Sequence, residues 1–246
     1  MAPAFTFAHM NTLIGVTGTG TEVGKTALAA ACLIWGQKKG FKTAYHKPVQ
    51  CGLSPLPDGL GQGGDADWIQ AKLGLTLAYR TSVVLAMPAS PHLAAEKEGL
   101  SLHPFSLAAD TLSLVRDYDF TVVEGAGGAA VPFGRDGWGI LDLPLPNLAW
   151  VVACRPGLGT VHQTRTTLDW MAQRGARIAG FAFCRTDAQP SELEDDNRKV
   201  LQDLTGLPCL GILPHSLHWS GSHSLPESER QMWFEAMDAG LSAALT

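Results

Sequence analysis

The sequence has little charge, few cysteines and no apolar run of membrane length, and each shortage closes off a class of function. Asp, Glu, Lys and Arg make up 17% of its 246 residues and apolar residues 46%, a balance that is globular rather than disordered. Basic residues are not in excess. The formal net charge is −5, which argues against a general nucleic-acid footprint. The cysteines, Cys32, Cys51, Cys154, Cys184 and Cys209, are odd in number and include no Cys-x-x-Cys pair. That reads as a reduced, cytoplasmic chain without a zinc site. The lack of a bilayer-length apolar run leaves no membrane partner to expect. Met1 to Met10 has no basic region ahead of its apolar residues and makes a poor signal peptide. These first ten residues are taken as an extension or a cloning remnant, with His9-Met10 as the join. No repeat, linker or composition shift divides the remainder, so residues 11–246 are expected to form a single domain.

What is present centres on Gly18-Thr19-Gly20-Thr21-Glu22-Val23-Gly24-Lys25-Thr26. The apolar run Leu13-Ile14-Gly15-Val16 leads in, and the helix formers Ala27-Leu28-Ala29-Ala30-Ala31 lead out. Strand, glycine-rich turn, Gly-Lys-Thr and helix together are the context of a phosphate-binding loop. Glycines let backbone N–H groups turn inward around phosphate oxygens, and the helix start faces the same anion. Lys25 can then reach the β/γ-phosphates and Thr26 can offer a hydroxyl to Mg²⁺. Five residues separate Gly18 from Gly24, one more than in the common pattern.

Beyond the loop, strand and helix patterns alternate. Lys38-Lys39-Gly40 ends the first helix. Phe41 to His46 reads as a second strand stopped by Lys47-Pro48. Ser54 to Gly64, rich in Pro and Gly, reads as loop, either a lid or a plain connector. Short helices are expected from Asp65 and from Ser90-Pro91 to Gly99, and a longer one over Phe105–Arg116. Phe120 to Val123 reads as a strand running into Glu124-Gly125-Ala126-Gly127-Gly128. Leu148–Cys154, Arg177–Phe183 and Pro208–Leu213 read as further strands, with helices over Val161–Arg174, Ser191–Leu204 and Pro226–Leu245. The strands are apolar on both faces. The expected fold is therefore α/β: a mostly parallel sheet flanked by helices on both faces, in the manner of phosphate-loop NTPases. Ligands in such sheets bind beyond the carboxyl ends of the strands, where Lys25, Lys47, Glu124 and the Gly157–Gly159 turn are all expected.

The chemistry open to these residues is phosphoryl transfer. Lys25 and Lys47 supply cations, although a lysine at a strand end is as readily a solvated one. Thr26, Asp65 and Glu124 supply the hard oxygens that Mg²⁺ takes; Asp65 also has a helix cap as its alternative. A carboxylate ending a buried strand, as at Glu124, is costly unless it has a partner. Gly157-Leu158-Gly159-Thr160 opens a helix and either binds a carboxylate or makes a tight turn, the turn being slightly favoured. His46, His92 and His162 have no ligand spacing. Nothing beside Cys51 activates its thiol.

Together these stretches resemble dethiobiotin synthase. The likeness rests on Val16 through Thr26 with its lengthened loop, Lys47-Pro48-Val49 with Gly52, Asp65-Ala66, Ser90-Pro91-His92 and Val123 through Gly128. It covers Leu13 to about Leu213. The resemblance implies an ATP-dependent cyclo-ligase of biotin biosynthesis. In it, 7,8-diaminononanoate takes up CO2 as a carbamate, the carbamate is phosphorylated to a carbamic–phosphoric anhydride, and the second amine closes the ring. It implies catalytic roles for Lys47 and Lys25. Nucleotide contacts would run along Thr21, Glu22, Val23, Gly24, Lys25, Thr26, Ala27, Asp65, Glu124, Gly125, Ala126, Gly127, Cys184, Arg185 and Pro214. Thr26, Asp65 and Glu124 would hold Mg²⁺. Thr21, Lys47, Cys51, Gly159 and Thr160 would contact substrate, the last two from the neighbouring subunit of a homodimer.

Three departures stand out: Cys51 in place of a frequent serine, Cys184-Arg185 in place of a frequent Asn-Asp, and no acid before Ile212. The last two imply an altered nucleotide preference. The readings set against the ligase are a partitioning or metal-cluster-carrier ATPase switch, an amidoligase domain, and an inactive family member that binds a partner. Thr17-Gly18-Thr19-Gly20 lacks the second lysine of the switch class, and the chain has no room for the glutamine-hydrolysing domain that an amidoligase needs.

Overall fold

The computed structural model describes residues 11–53, 64–73, 78–190, 192–219 and 224–245. The expected loop from Ser54 to Gly64, apart from Gly64 itself, and the first ten residues lie outside that set. Seven parallel strands form one sheet in the order β3-β2-β4-β1-β5-β6-β7. They are β1 (Thr12–Gly18), β2 (Thr43–Cys51), β3 (Ala78–Leu85), β4 (Phe120–Glu124), β5 (Ala149–Cys154), β6 (Ile178–Cys184) and β7 (Cys209–Leu213). The helices are α1 (Lys25–Lys38), α2 (Asp65–Leu73), α3 (Pro91–Lys97), α4 (Pro104–Asp117), α5 (Thr160–Gln173), α6 (Glu194–Thr205) and α7 (Glu227–Leu245).

Both faces of the sheet are covered, and one strand shows how. In β5, Val151 and Ala153 pack under α1 and α7, while Trp150, Val152 and Cys154 pack under α5 and α6. Alternation of side chains along a strand puts neighbours on opposite faces, so a strand buried on both sides must be apolar throughout. Gly15 in β1 makes room for this packing: a Cβ there would lie 2.3 Å from the Trp150 ring. The expected doubly covered parallel sheet is what the structure shows.

Three expectations about elements need correction. No strand was expected between Asp65 and Ser90, yet β3 occupies Ala78–Leu85. It lies at the sheet edge, and its first half, with exposed Tyr79 and Arg80, has no apolar pattern to detect. The second strand does not stop at Lys47-Pro48 but continues to Cys51. Its pairing with β4 ends at His46, while its pairing with β3 runs on to Cys51. Pro48, with no N–H to give, is tolerated where the strand has lost one neighbour. Lys47 is consequently inside a strand rather than at its end. Helix α6 begins at Glu194, later than the expected Ser191.

Candidate active site

β1 lies at the centre of the sheet, between β4 and β5, and the glycine-rich loop joins it to α1. The loop is tied down on both sides: the Thr19 N–H donates to Ala153 O at 3.1 Å and the Ala129 N–H donates to Gly18 O at 2.9 Å. Arg155 donates from Nη2 to Glu22 O at 2.7 Å, across the top of β5. Gly24 caps α1 with φ +93°, and a Cβ there would lie 2.5 Å from the Cys184 Cβ. Only glycine satisfies both the backbone angle and the close approach of β6. Glu22 shares the left-handed backbone region at φ +57°.

At the first turn of α1, the Lys25 ammonium donates to Gly20 O at 2.7 Å, folding back over its own loop. Burial lowers its pKa, with Glu124 and Asp65 pulling the other way and Lys47 adding to the decrease. Beside it, five side chains from four elements meet. Glu124, fully buried at the end of β4, accepts the Thr26 hydroxyl on Oε1 at 3.0 Å and the Tyr45 hydroxyl on Oε2 at 2.9 Å. The Lys47 ammonium donates to Glu124 Oε1 at 2.7 Å and to Gly125 O at 3.0 Å, and pairs with Asp65 Oδ2 at 2.6 Å. The register explains the meeting. Tyr45 stands opposite Val122, so residues 45 and 47 of β2 share the face that carries residue 124 of β4. Asp65 is the first residue of α2, and its N–H is held by Gln50 Oε1 at 3.2 Å.

The electrostatics follow from this packing. Burial works against the Lys47 charge, but Glu124 and then Asp65 more than offset it, and its pKa rises to about 12. Glu124 is pushed up by burial, against the pull of Lys47. Burial, Glu124 and Asp65 all raise the Tyr45 phenol, which stays a neutral donor. The site thus accepts positive charge between two carboxylates. With the Thr26 hydroxyl on the same Glu124 oxygen, the donor set is one of hard oxygens suited to Mg²⁺.

These residues floor an open cleft of ≈ 830 Å³. Thr21, Glu22, Gly24, Lys25, Thr26, Ala27, Lys47, Cys51, Asp65, Glu124, Ala126, Gly127, Cys184, Arg185 and Pro214 all line it. Val23 is buried behind the loop, its methyl 2.6 Å from where a Gly18 Cβ would lie, and Gly125 offers its carbonyl to Lys47. Gly159 and Thr160 are not among the lining residues. Gly159 caps α5 at φ +89°, and the Thr160 hydroxyl lies 3.2 Å from that of Thr164. The Cys51 thiol is raised to about 11, chiefly by burial, and Cys184 to about 12 for the same reason, so neither is an activated nucleophile.

At the far end of the cleft, Arg185 is gripped by Glu194 through Nε at 2.9 Å and Nη2 at 2.5 Å. Trp219, Trp233, His215 and Ser216 complete that wall. The sequence pattern does not single out Tyr45, Gln50 or these tryptophans. Tyr45 reads as one more apolar strand residue, and only the register with β4 gives its hydroxyl a partner.

The described helices include none long and apolar enough to cross a membrane. A family model described as an AAA domain matches residues 12–221. A protein of Anoxybacillus flavithermus named ATP-dependent dethiobiotin synthetase BioD is 32% identical over 206 residues, covering 83% of this chain and 92% of that protein. One of the same name from Pseudomonas aeruginosa strain PAO1 is 38% identical over 205 residues, covering 81% and 88%. Among solved structures, the septum site-determining protein MinD of Pyrococcus horikoshii, complexed with Mg-ADP, superposes with a TM-score of 0.61 at 17% identity, covering 96% and 95%. ParA of pNOB8 bound to nonspecific DNA gives 0.60 at 10% identity, covering 96% and 99%. At such identities the last two establish a shared fold and nothing about ligands.

Proposed function

This chain belongs to the ATP-dependent dethiobiotin synthetase family, a family of ligases, and on that footing we propose how its cleft makes dethiobiotin for biotin biosynthesis. One amine of 7,8-diaminononanoate takes up CO2 as a carbamate. A carbamate oxygen attacks the γ-phosphorus of ATP, ADP leaves, and a carbamic–phosphoric anhydride results. The second amine attacks the carbamoyl carbon, phosphate departs, and the ureido ring closes. The observation that carries this reading is the Lys47 ammonium, held 2.7 Å from Glu124 and 2.6 Å from Asp65 in the cleft that Lys25 also lines.

A carbamate and a triphosphate repel each other, so the reaction is limited by bringing two anions into line. Lys47 serves here as the bridge between carbamate and γ-phosphate oxygens. Lys25 leaves Gly20 O for the β/γ-phosphates, and the N–H groups of Gly24 to Ala27 at the start of α1 cradle the same oxygens. Thr26, Asp65 and Glu124 are the residues that would hold Mg²⁺, which neutralises phosphate charge when bound. Thr21 and Cys51, both lining the cleft, face the diamine side. Cys184, Arg185 and Pro214 face the base. Residues 11–246 work as one cytoplasmic unit, paired with a second copy whose Gly159-Thr160 helix start takes the substrate carboxylate. Support for that pairing is that Gly159 and Thr160 lie outside their own cleft, beside Leu158, which is 96% exposed.

Incubating the protein with diaminononanoate, bicarbonate, Mg²⁺ and ATP should yield dethiobiotin, identified by mass, with equimolar ADP. Lys47→Ala should remove turnover by about 10³-fold or more while leaving ADP binding nearly intact. ATP hydrolysis without dethiobiotin would instead favour a switch ATPase, and near-normal turnover by Lys47→Ala would refute the bridging role.

A further inference from the structure

Glu124 has two carboxylate oxygens with different duties. Oε1 faces the cleft, shared by Thr26 and Lys47. Oε2 faces the protein interior, where the Tyr45 hydroxyl, 2.9 Å away, is its donor among the described residues. Both Tyr45 and Glu124 are fully buried. Water cannot replace that donor, and a buried carboxylate oxygen without one is costly. The tyrosine ring is itself fixed, wedged in the apolar layer that α1 and α2 press against the sheet. Thr26 and Lys47 both hold the carboxylate at Oε1, so the cleft-side contacts alone leave it free to swing about that oxygen. The contact from behind removes that freedom.

We propose that Tyr45 is a positioning residue: its buried hydroxyl locks the Glu124 carboxylate from behind, so that Oε1 is presented to the divalent cation of the bound nucleotide. The proposal rests on the ligase reading only in taking Glu124 as a metal partner. A neutral donor suits this task, because it orients the carboxylate without cancelling the charge that the cation needs. A phenylalanine would fill the same space and leave Oε2 bare.

The test is binding rather than turnover, so its failure is separable from failure of the proposed reaction. Tyr45→Phe should weaken binding of Mn²⁺ with ADP, followed by electron paramagnetic resonance of free Mn²⁺, by about tenfold, as expected for a lost hydrogen bond to a charged group. Binding of ADP without metal, measured by calorimetry, should change by less than about twofold. Loss of the buried hydrogen bond lowers the melting temperature in either case, so the affinities decide: a purely structural role would move both together or neither, and either result overturns the proposal. In a Glu124→Gln background the same substitution should have no further effect on Mn²⁺ with ADP. A full loss there would show that Tyr45 acts through another group.

A wild-type measurement covers the case in which Tyr45→Phe does not fold. With fluorotyrosine incorporated, the buried Tyr45 fluorine resonance should shift when Mg²⁺ and ADP are added and not with ADP alone. No shift, or the same shift with ADP alone, refutes the assignment.

Discussion

Three consecutive side chains of β2 carry opposite burdens. Tyr45 and Lys47 point to the face covered by α1 and α2 and meet Glu124, Tyr45 from the interior and Lys47 from the cleft. His46, between them, points to the other face and is fully buried against α4. Its Nε2 lies 2.7 Å from Ser82 Oγ, its Nδ1 2.8 Å from Thr111 Oγ1. Ser82 donates its only proton to Asp110 at 2.6 Å, so Nε2–H is the donor to Ser82 and the Thr111 hydroxyl donates to Nδ1. Burial lowers the His46 pKa to about 3; Asp110 opposes this and Arg80 adds to it. The sign of the consequence is fixed. The unfolded chain takes up a proton near pH 6.5 and the folded chain does not, so His46 stability is complete above that pH and is lost as pH falls towards 3. From pH 6.5 to pH 5 the loss should be about 2 kcal/mol. Urea midpoints across that interval measure it. A slope no steeper than that of His46→Gln would show that the imidazole is not held neutral.

The two ends of the cleft are built by different elements. At the phosphate end, β2, β4, α1 and α2 bring together charges that accept each other. At the other end, β6 and β7 offer a thiol, an arginine and a proline. Cys184 packs against Gly24, the Arg185 guanidinium is engaged by Glu194, and Pro214 has no N–H. Recognition of a base edge by a site built to hydrogen-bond it discriminates by about 10⁴ or more, whereas apolar walls seldom exceed about 10². Initial rates with ATP, GTP and CTP in competition should therefore lie within about hundredfold of one another. An ATP preference well beyond that would mean that groups other than these residues read the base.

The same two ends differ in how far the sequence discloses them. Gly24-Lys25-Thr26 and Glu124 are legible because a phosphate loop and a carboxylate before glycines are local patterns. Lys47 is legible as a cation but not as a strand-interior residue, because that depends on β3, an edge strand with a polar first half. The Tyr45 contact and the Arg185–Glu194 clamp are illegible, since each depends on the register or spacing of elements that no single segment encodes.

For the molecule as a whole, the helix start at Gly159-Thr160 sits outside the cleft that its own chain builds, so the proposed site is complete only when a second copy lends it. That arrangement makes a prediction that a self-contained site does not. Lys47→Ala removes turnover from a chain's own cleft and leaves its α5 start intact. Gly159→Asp does the reverse: a Cβ at residue 159 has nothing nearer than Gln163 Nε2 at 4.0 Å, Asp tolerates left-handed backbone better than most residues, and its carboxylate would repel the substrate's from the helix start. Each variant alone should be inactive. After mixing, unfolding and refolding together, half of the pairs are mixed and each mixed pair has one intact site, so activity should return to about a quarter of wild type. Persistent inactivity of the mixture, with pairing confirmed by light scattering, would place the carboxylate site within one chain. Full activity of Gly159→Asp by itself would remove the α5 start from the site altogether.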